Sequence, residues 1–361
     1  MSGLKQLKSR IDSVKTTKKI TTAMRMISVS KLRKSHALLL DAYPYLDEIT
    51  RILRRLVRSV SYRQEQQNDL GSLNQKIILP DLLKGRENPE KHLIVCSTSD
   101  EGLCGRFNYS VIDKTSQVIR HLQEQTQQQV SAVCFGARGG ELLRKRFPDL
   151  PMHVITRKHD KEHALFLDAE RIAMYLIDNY NRSLFDLCTV VYCEFESAVV
   201  QRVKIEQIIP LQTFQHEDAW GFFNESEDPH YVKRDVLGQK KLKSEGVHLF
   251  SAIGGKKIKS PLGAVDADAL LKESTRLPDS YDYEESDLKI LDYLLPQFVE
   301  AHVYKVLLNT MASESAARML AMEGASKNAS DMIKKLNKKY HRRRQELVTK
   351  DLTEIVAGAM D

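Results

Sequence analysis

The residues best placed to do chemistry lie in two glycine-bearing loops. Ser99–Asn108 reads SDEGLCGRFN, follows an apolar run and precedes a helical stretch. Backbone N–H groups at such a strand-to-helix turn can cradle a phosphate. The loop fits neither G-x-G-x-x-G nor G-x-x-x-x-G-K-[ST]. No lysine follows Gly105, and Arg106 places a bulky side chain where a close backbone approach would want none. Gly136–Gly140, GARGG, fails the same test. Both read as structural turns, and no cofactor is expected. The eleven histidines are scattered, with no His-Glu-x-x-His and no nucleophile elbow. Glu284 beside Glu285 reads as a helix start rather than an acid–base pair. The cysteines, Cys96, Cys104, Cys134, Cys188 and Cys193, form no Cys-x-x-Cys and sit at no zinc spacing. They read as buried free thiols of a reducing compartment. No catalytic, cofactor-binding or metal-ligating set assembles, so any enzymatic part would be that of a non-catalytic subunit.

Charge is the next feature. With 55 Lys and Arg against 48 Asp and Glu, the net charge is +7. That balance admits an acidic protein, nucleic acid or an anionic surface as partner. Basic residues gather at both ends, from Lys5 to Lys34 and again at Lys334, Lys335, Lys338, Lys339, Arg342, Arg343 and Arg344. A basic coiled-coil protein binding nucleic acid or an anionic surface is therefore one reading, although only Tyr340 interleaves the second run as a stacking aromatic. A nucleotide-dependent α/β enzyme is another reading, and it lacks a phosphate loop. A basic, acid-poor start also suits a transit peptide. No run of about 18 apolar residues occurs.

The elements that carry these residues are of two kinds. Leu4, Leu7, Ile11 and Val14 follow the 3,4,3 spacing of a narrow apolar seam. The seam becomes polar through Lys18, Thr21, Arg25 and Ser28 and recovers at Leu32. Residues 1–65 are predicted to be a helix, kinked or locally broken at Pro44. Residues 281–361 mirror it. They open at Asp282 and Glu285 and carry a seam of Leu288, Leu291, Leu295, Phe298 and His302, with Pro296 as an irregularity. Small residues follow around Ala317, Ala321 and Ala325, and the seam resumes at Met332, Leu336, Tyr340, Leu347, Leu352 and Ile355. Between the two seams, residues 90–211 alternate β-branched runs with helical stretches, which argues for a parallel-type α/β layer. Residues 212–280 show no strong period and read as an insertion, partly loop. The predicted fold is thus a long antiparallel coiled coil of terminal helices flanking a central, Rossmann-like α/β domain.

Several ordered motifs resemble the gamma subunit family of F-type ATP synthases. Leu4–Lys34 is similar to that family's first helix through Ile20, Ala23, Met24, Ser30 and Lys31. Ala42-Tyr43-Pro44-Tyr45 and the Ser99–Asn108 loop are similar to its helix-kinking Pro-Tyr and its post-strand loop. The most specific likeness is Ser313–Asp361, with Ala317-Arg318-Met319, Ala325-Ser326-Lys327-Asn328-Ala329 and Arg344-Gln345. The likeness spans about four fifths of the chain. It departs at Thr22, Arg106 and Asp351, where that family usually has lysine, glycine and glutamate, and 212–280 is longer than usual. Because the likeness begins at Leu4, the basic start is expected to belong to the shaft rather than to a presequence.

The resemblance implies a central rotary shaft that couples rotation of a membrane ring to conformational change in catalytic beta subunits. It implies alpha, beta and epsilon subunits and the membrane rotor ring as partners, one copy per complex, and no nucleic acid. It implies stator-facing contacts at Met24, Arg318, Arg344, Gln345 and Thr349. The implied location is peripheral, on the cytoplasmic face of a bacterial inner membrane or the matrix face of a mitochondrial one. Chloroplast relatives carry a regulatory dithiol in an insertion. The 212–280 insertion has no cysteine, so that switch is not expected here.

Overall fold

A computed structural model describes residues 2–69, 80–86, 88–156, 162–211 and 287–358. The start expected at Asp282 and Glu285 and the 212–280 insertion lie outside the described residues. The chain divides into two compact units. One comprises Met1–Lys31, Leu103–Gly105 and Ser315–Asp361, and the other Leu32–Gly102 and Arg106–Glu314.

The second unit is built on a five-stranded sheet of order β3-β2-β1-β4-β5. Its strands are β1 (Lys91–Ser97), β2 (Gln129–Phe135), β3 (Met152–Ile155), β4 (Leu187–Phe195) and β5 (Gln201–Ile209). The first four run parallel, and β5 pairs antiparallel with β4 at the edge. A parallel sheet is covered on both faces, so its strands read as continuous apolar runs. Ile94, Val95, Val190 and Val191 are fully buried accordingly. The helices between strands are α3 (Phe107–Gln125), α4 (Ala137–Arg146) and α5 (Glu162–Asn181), and a short α2 (Asp81–Lys84) precedes β1. Their positions follow the predicted alternation closely.

Two helices are far longer. The first, α1, runs Ser2–Asp69, and the last described helix, α6, runs Asp287–Gly358. Both contain a proline without interruption, Pro44 and Pro296 respectively. The break expected at Pro44 does not occur. Neighbouring Tyr43, Leu46 and Ile49 are buried, and this tertiary packing outweighs one lost backbone hydrogen bond.

All five cysteines are free and buried. Cys96 and Cys134 are register partners on β1 and β2, with sulfurs 3.0 Å apart. The contact with Cys134, then burial, pushes the Cys96 thiol well up, and burial alone pushes Cys193 up to about 12. Thiols held protonated in this way are inert.

Candidate functional site

The glycine loops come first, because they were the sequence's strongest hint of ligand chemistry. Ser99 donates its backbone N–H to Asn108 Oδ1 at 3.0 Å, and Asp100 Oδ1 accepts the Ala137 N–H at 2.9 Å. Asp100 therefore places a carboxylate on the N-terminus of α4, where a phosphate would otherwise sit. Gly139 N–H donates to Thr98 Oγ1 at 3.1 Å. A Cβ at Gly139 would collide with the Thr98 side chain, and one at Gly140 would lie 2.6 Å from Val154 Cγ2. These glycines let α4 approach the sheet. They make room for protein, not for a nucleotide.

In the helical unit, most seam positions of α1 are the less exposed ones, Lys18 excepted. Ile11, Thr21 and Ser28 of α1 are buried, as are Ala316, Met319, Met322, Ala329 and Leu336 of α6. Thr22 Oγ1 and Ser326 Oγ share a hydrogen bond at 3.0 Å. Thr22, Arg25, Glu323, Ser326, Lys327 and Ser330 line a polar cleft. The expected seam fails at Met332, Leu352 and Ile355, which are exposed.

The expected stator-facing residues differ in exposure. Met24 is half-buried, whereas Arg344, Gln345 and Thr349 are exposed along α6. Arg318 is only 6% exposed, so little of it is open to a partner. Arg342 and Arg343 both pair with Glu346 at 3.2 Å on the helix surface.

Sequence reasoning missed a third cluster, which lies within the α/β unit. Glu206 on β5 accepts from His302 Nε2 at 2.9 Å and from Lys305 Nζ at 3.3 Å. Lys204 Nζ lies 2.8 Å from the other Glu206 oxygen and 3.4 Å from Glu194. Further along α6, Asn309 Oδ1 accepts the Phe195 N–H at 3.1 Å, and Ser313 donates to the Cys193 carbonyl at 3.2 Å. Burial opposes ionisation of Glu206, yet Lys305, then His302 and Lys204, hold its carboxyl well below the usual range. Burial, partly offset by Glu206, keeps the His302 imidazole below its ordinary value. The cue was present: His302, Lys305, Asn309 and Ser313 follow a helical stripe through a largely apolar stretch, and Lys204-x-Glu206 alternates on a strand.

The class so defined is a mixed α/β domain on a largely parallel sheet, carried with two very long terminal helices. The comparisons agree. A family described as ATP synthase matches residues 3–360. The ATP synthase gamma chain of Rhodospirillum rubrum is 34% identical, with 99% of each chain covered. That of Paracoccus denitrificans is 31% identical over the same shares. Among solved structures, a chain of the Euglena gracilis mitochondrial ATP synthase rotor superposes with TM-score 0.51 at 18% identity, covering 96% of this chain and 99% of that one. The chain belongs to the ATP synthase gamma chain family, and its role is that of the central shaft.

Proposed function

We propose that α1 and α6 pair as an antiparallel coiled coil that forms the axle of the motor. The carrying observation is that both are long, unbroken helices that meet within the helical unit, where Thr22 and Ser326 share a hydrogen bond at 3.0 Å. Small buried residues such as Ala312 and Ala316 suit a close approach.

In this reading the helices of residues 1–65 and 281–361 stand inside a ring of alpha and beta subunits. Residues 90–211 form a foot with the epsilon subunit on the membrane rotor ring, and 212–280 lies outside the axle. One copy serves each complex, peripheral on the cytoplasmic side of the membrane. No helix among the described residues is long and apolar enough to cross a membrane. The solved neighbours are themselves parts of a rotor and of an F1/c-ring assembly. Switching one subunit from 1:99 to 99:1 takes about 5.5 kcal/mol of differential contact, and two packed helices bear such a load better than one.

Exposed Gln345 and Thr349, one turn apart, share a face. With Arg344 beside them, Met24 half-buried on α1 and Arg318 further along α6, they are the proposed stator-facing contacts. Co-purification with alpha, beta and epsilon subunits tests the axle reading, and failure to travel with them overturns it. Proton pumping per ATP in the assembled enzyme tests the contacts. Arg318→Ala with Gln345→Ala together is expected to lower it, and wild-type pumping in that double variant makes these residues passengers.

A further inference from the structure

We propose that Glu206 is a positioning residue that locks α6 against rotation about its own axis relative to the sheet, so that torque entering the α/β domain reaches the axle. The proposal rests on the shaft reading above.

Four polar residues of α6, His302, Lys305, Asn309 and Ser313, fall on one helical stripe and engage the sheet at separate points. His302 and Lys305 meet Glu206 on β5. Asn309 receives the Phe195 N–H, and Ser313 donates to the Cys193 carbonyl, both at the end of β4. On α6, apolar contacts also abound, for Leu291, Leu295, Val299 and Val303 are buried. Apolar contact is non-directional, so a helix can turn against it at little cost. Hydrogen bonds weaken steeply with angle. Turning α6 by one residue, about 100°, would break all four polar attachments together.

Glu206 is the centre of this set because it holds two α6 side chains and Lys204 at once. Lys305 is 3% exposed in its side chain, and a buried cation is costly unless paired. Replacing a buried ionic group by apolar residues of similar size is often neutral or stabilising. Stability alone therefore does not call for this cluster, and mechanical registration does. Removing Glu206 and Lys305 together keeps the charge balanced, because Lys204 retains Glu194 at 3.4 Å.

The test uses the assembled, membrane-reconstituted enzyme. The triple variant Glu206→Met, His302→Leu, Lys305→Met replaces the polar set with an apolar one. Its expected phenotype is normal assembly, a melting temperature at or above wild type and ordinary ATPase at low load. The proton gradient it sustains should be reduced, because slip under load becomes about tenfold more frequent. A second variant, Glu206→Gln with Lys305→Met, drops the charges but leaves the His302 contact. It is expected to slip to an intermediate degree, and it decides the matter should the triple variant fail to assemble. If either assembled variant sustains the wild-type gradient at matched ATPase, the lock is wrong. If the wild-type chain itself fails to assemble with alpha and beta subunits, the shaft reading fails instead.

Discussion

The α/β unit and the helical unit spend their polar residues differently. In the α/β unit, the most buried charges are bound at several points, beside exposed surface pairs such as Arg138 with Glu141. Asp186 pairs with Arg86 at 2.5 Å and accepts the Glu90 and Lys91 N–H groups at 3.0 and 2.9 Å. Arg86 also reaches the Tyr180 carbonyl at 2.7 Å and stacks over the Tyr180 ring. In the helical unit, the ion pairs are neighbours on one helix surface, such as Arg342 and Arg343 with Glu346. Buried, multiply bonded groups fix a geometry, whereas exposed pairs are screened and interchangeable.

The sharpest way to break this contrast is at Asp186. Burial opposes its ionisation, but the Lys91 N–H, Arg86 and the Glu90 N–H hold its carboxyl below the usual value. Asp186→Ala leaves those N–H groups unpaired and removes one of Arg86's partners, and is expected to cost about 1–3 kcal/mol. Denaturant unfolding followed by near-UV circular dichroism measures it, and a loss below about 1 kcal/mol would place Asp186 with the surface pairs.

Acid should act on the α/β unit through His92. Its ring is 1% exposed and bonded to Gln128 Oε1 at 3.1 Å and Thr189 Oγ1 at 2.8 Å. Burial lowers its pKa from 6.5 to about 4. Below 6.5 the unfolded chain binds a proton that the folded chain refuses. Stability is therefore intact above that value and falls between pH 6.5 and about 4, by up to about 3 kcal/mol. His92→Gln should flatten this part of the stability–pH curve, and an unchanged slope would acquit His92.

Gly139→Ala tests close packing, with an expected cost of about 1–3 kcal/mol from overpacking against Thr98. A melting temperature within error of wild type would show that α4 can back away. The smallest effect belongs to the helical unit. Glu346→Ala should cost about 0–1 kcal/mol, and a larger loss in thermal melts would erase the contrast drawn above.

Much of this molecule was legible in its sequence. Strand and helix alternation over 90–211 could be read because a parallel sheet demands continuous apolar runs separated by amphipathic helices, and the seam from Leu4 to Val14 because a narrow interface demands 3,4 spacing. The family was legible from ordered motifs such as Ala317-Arg318-Met319. Local pattern did not reveal what Pro44 would do, because the packing of Tyr43, Leu46 and Ile49 decides it. Nor did it show that Met332 would be exposed, or that Arg318 would be buried.

Least legible was the set around Glu206. Residues 206 and 302 are 96 apart in sequence, and no periodicity links a carboxylate on an edge strand to an imidazole on a distant helix. The sequence by itself determined the elements, their order and the absence of a recognised phosphate-loop motif, since these follow from local sterics and spacing. Only the tertiary structure decided that Gly139 makes room for Thr98, that Asp100 occupies a helix N-terminus, and that Glu206 binds the C-terminal helix. Each of those depends on groups brought within about 3 Å by packing, where hydrogen bonding is strong and specific.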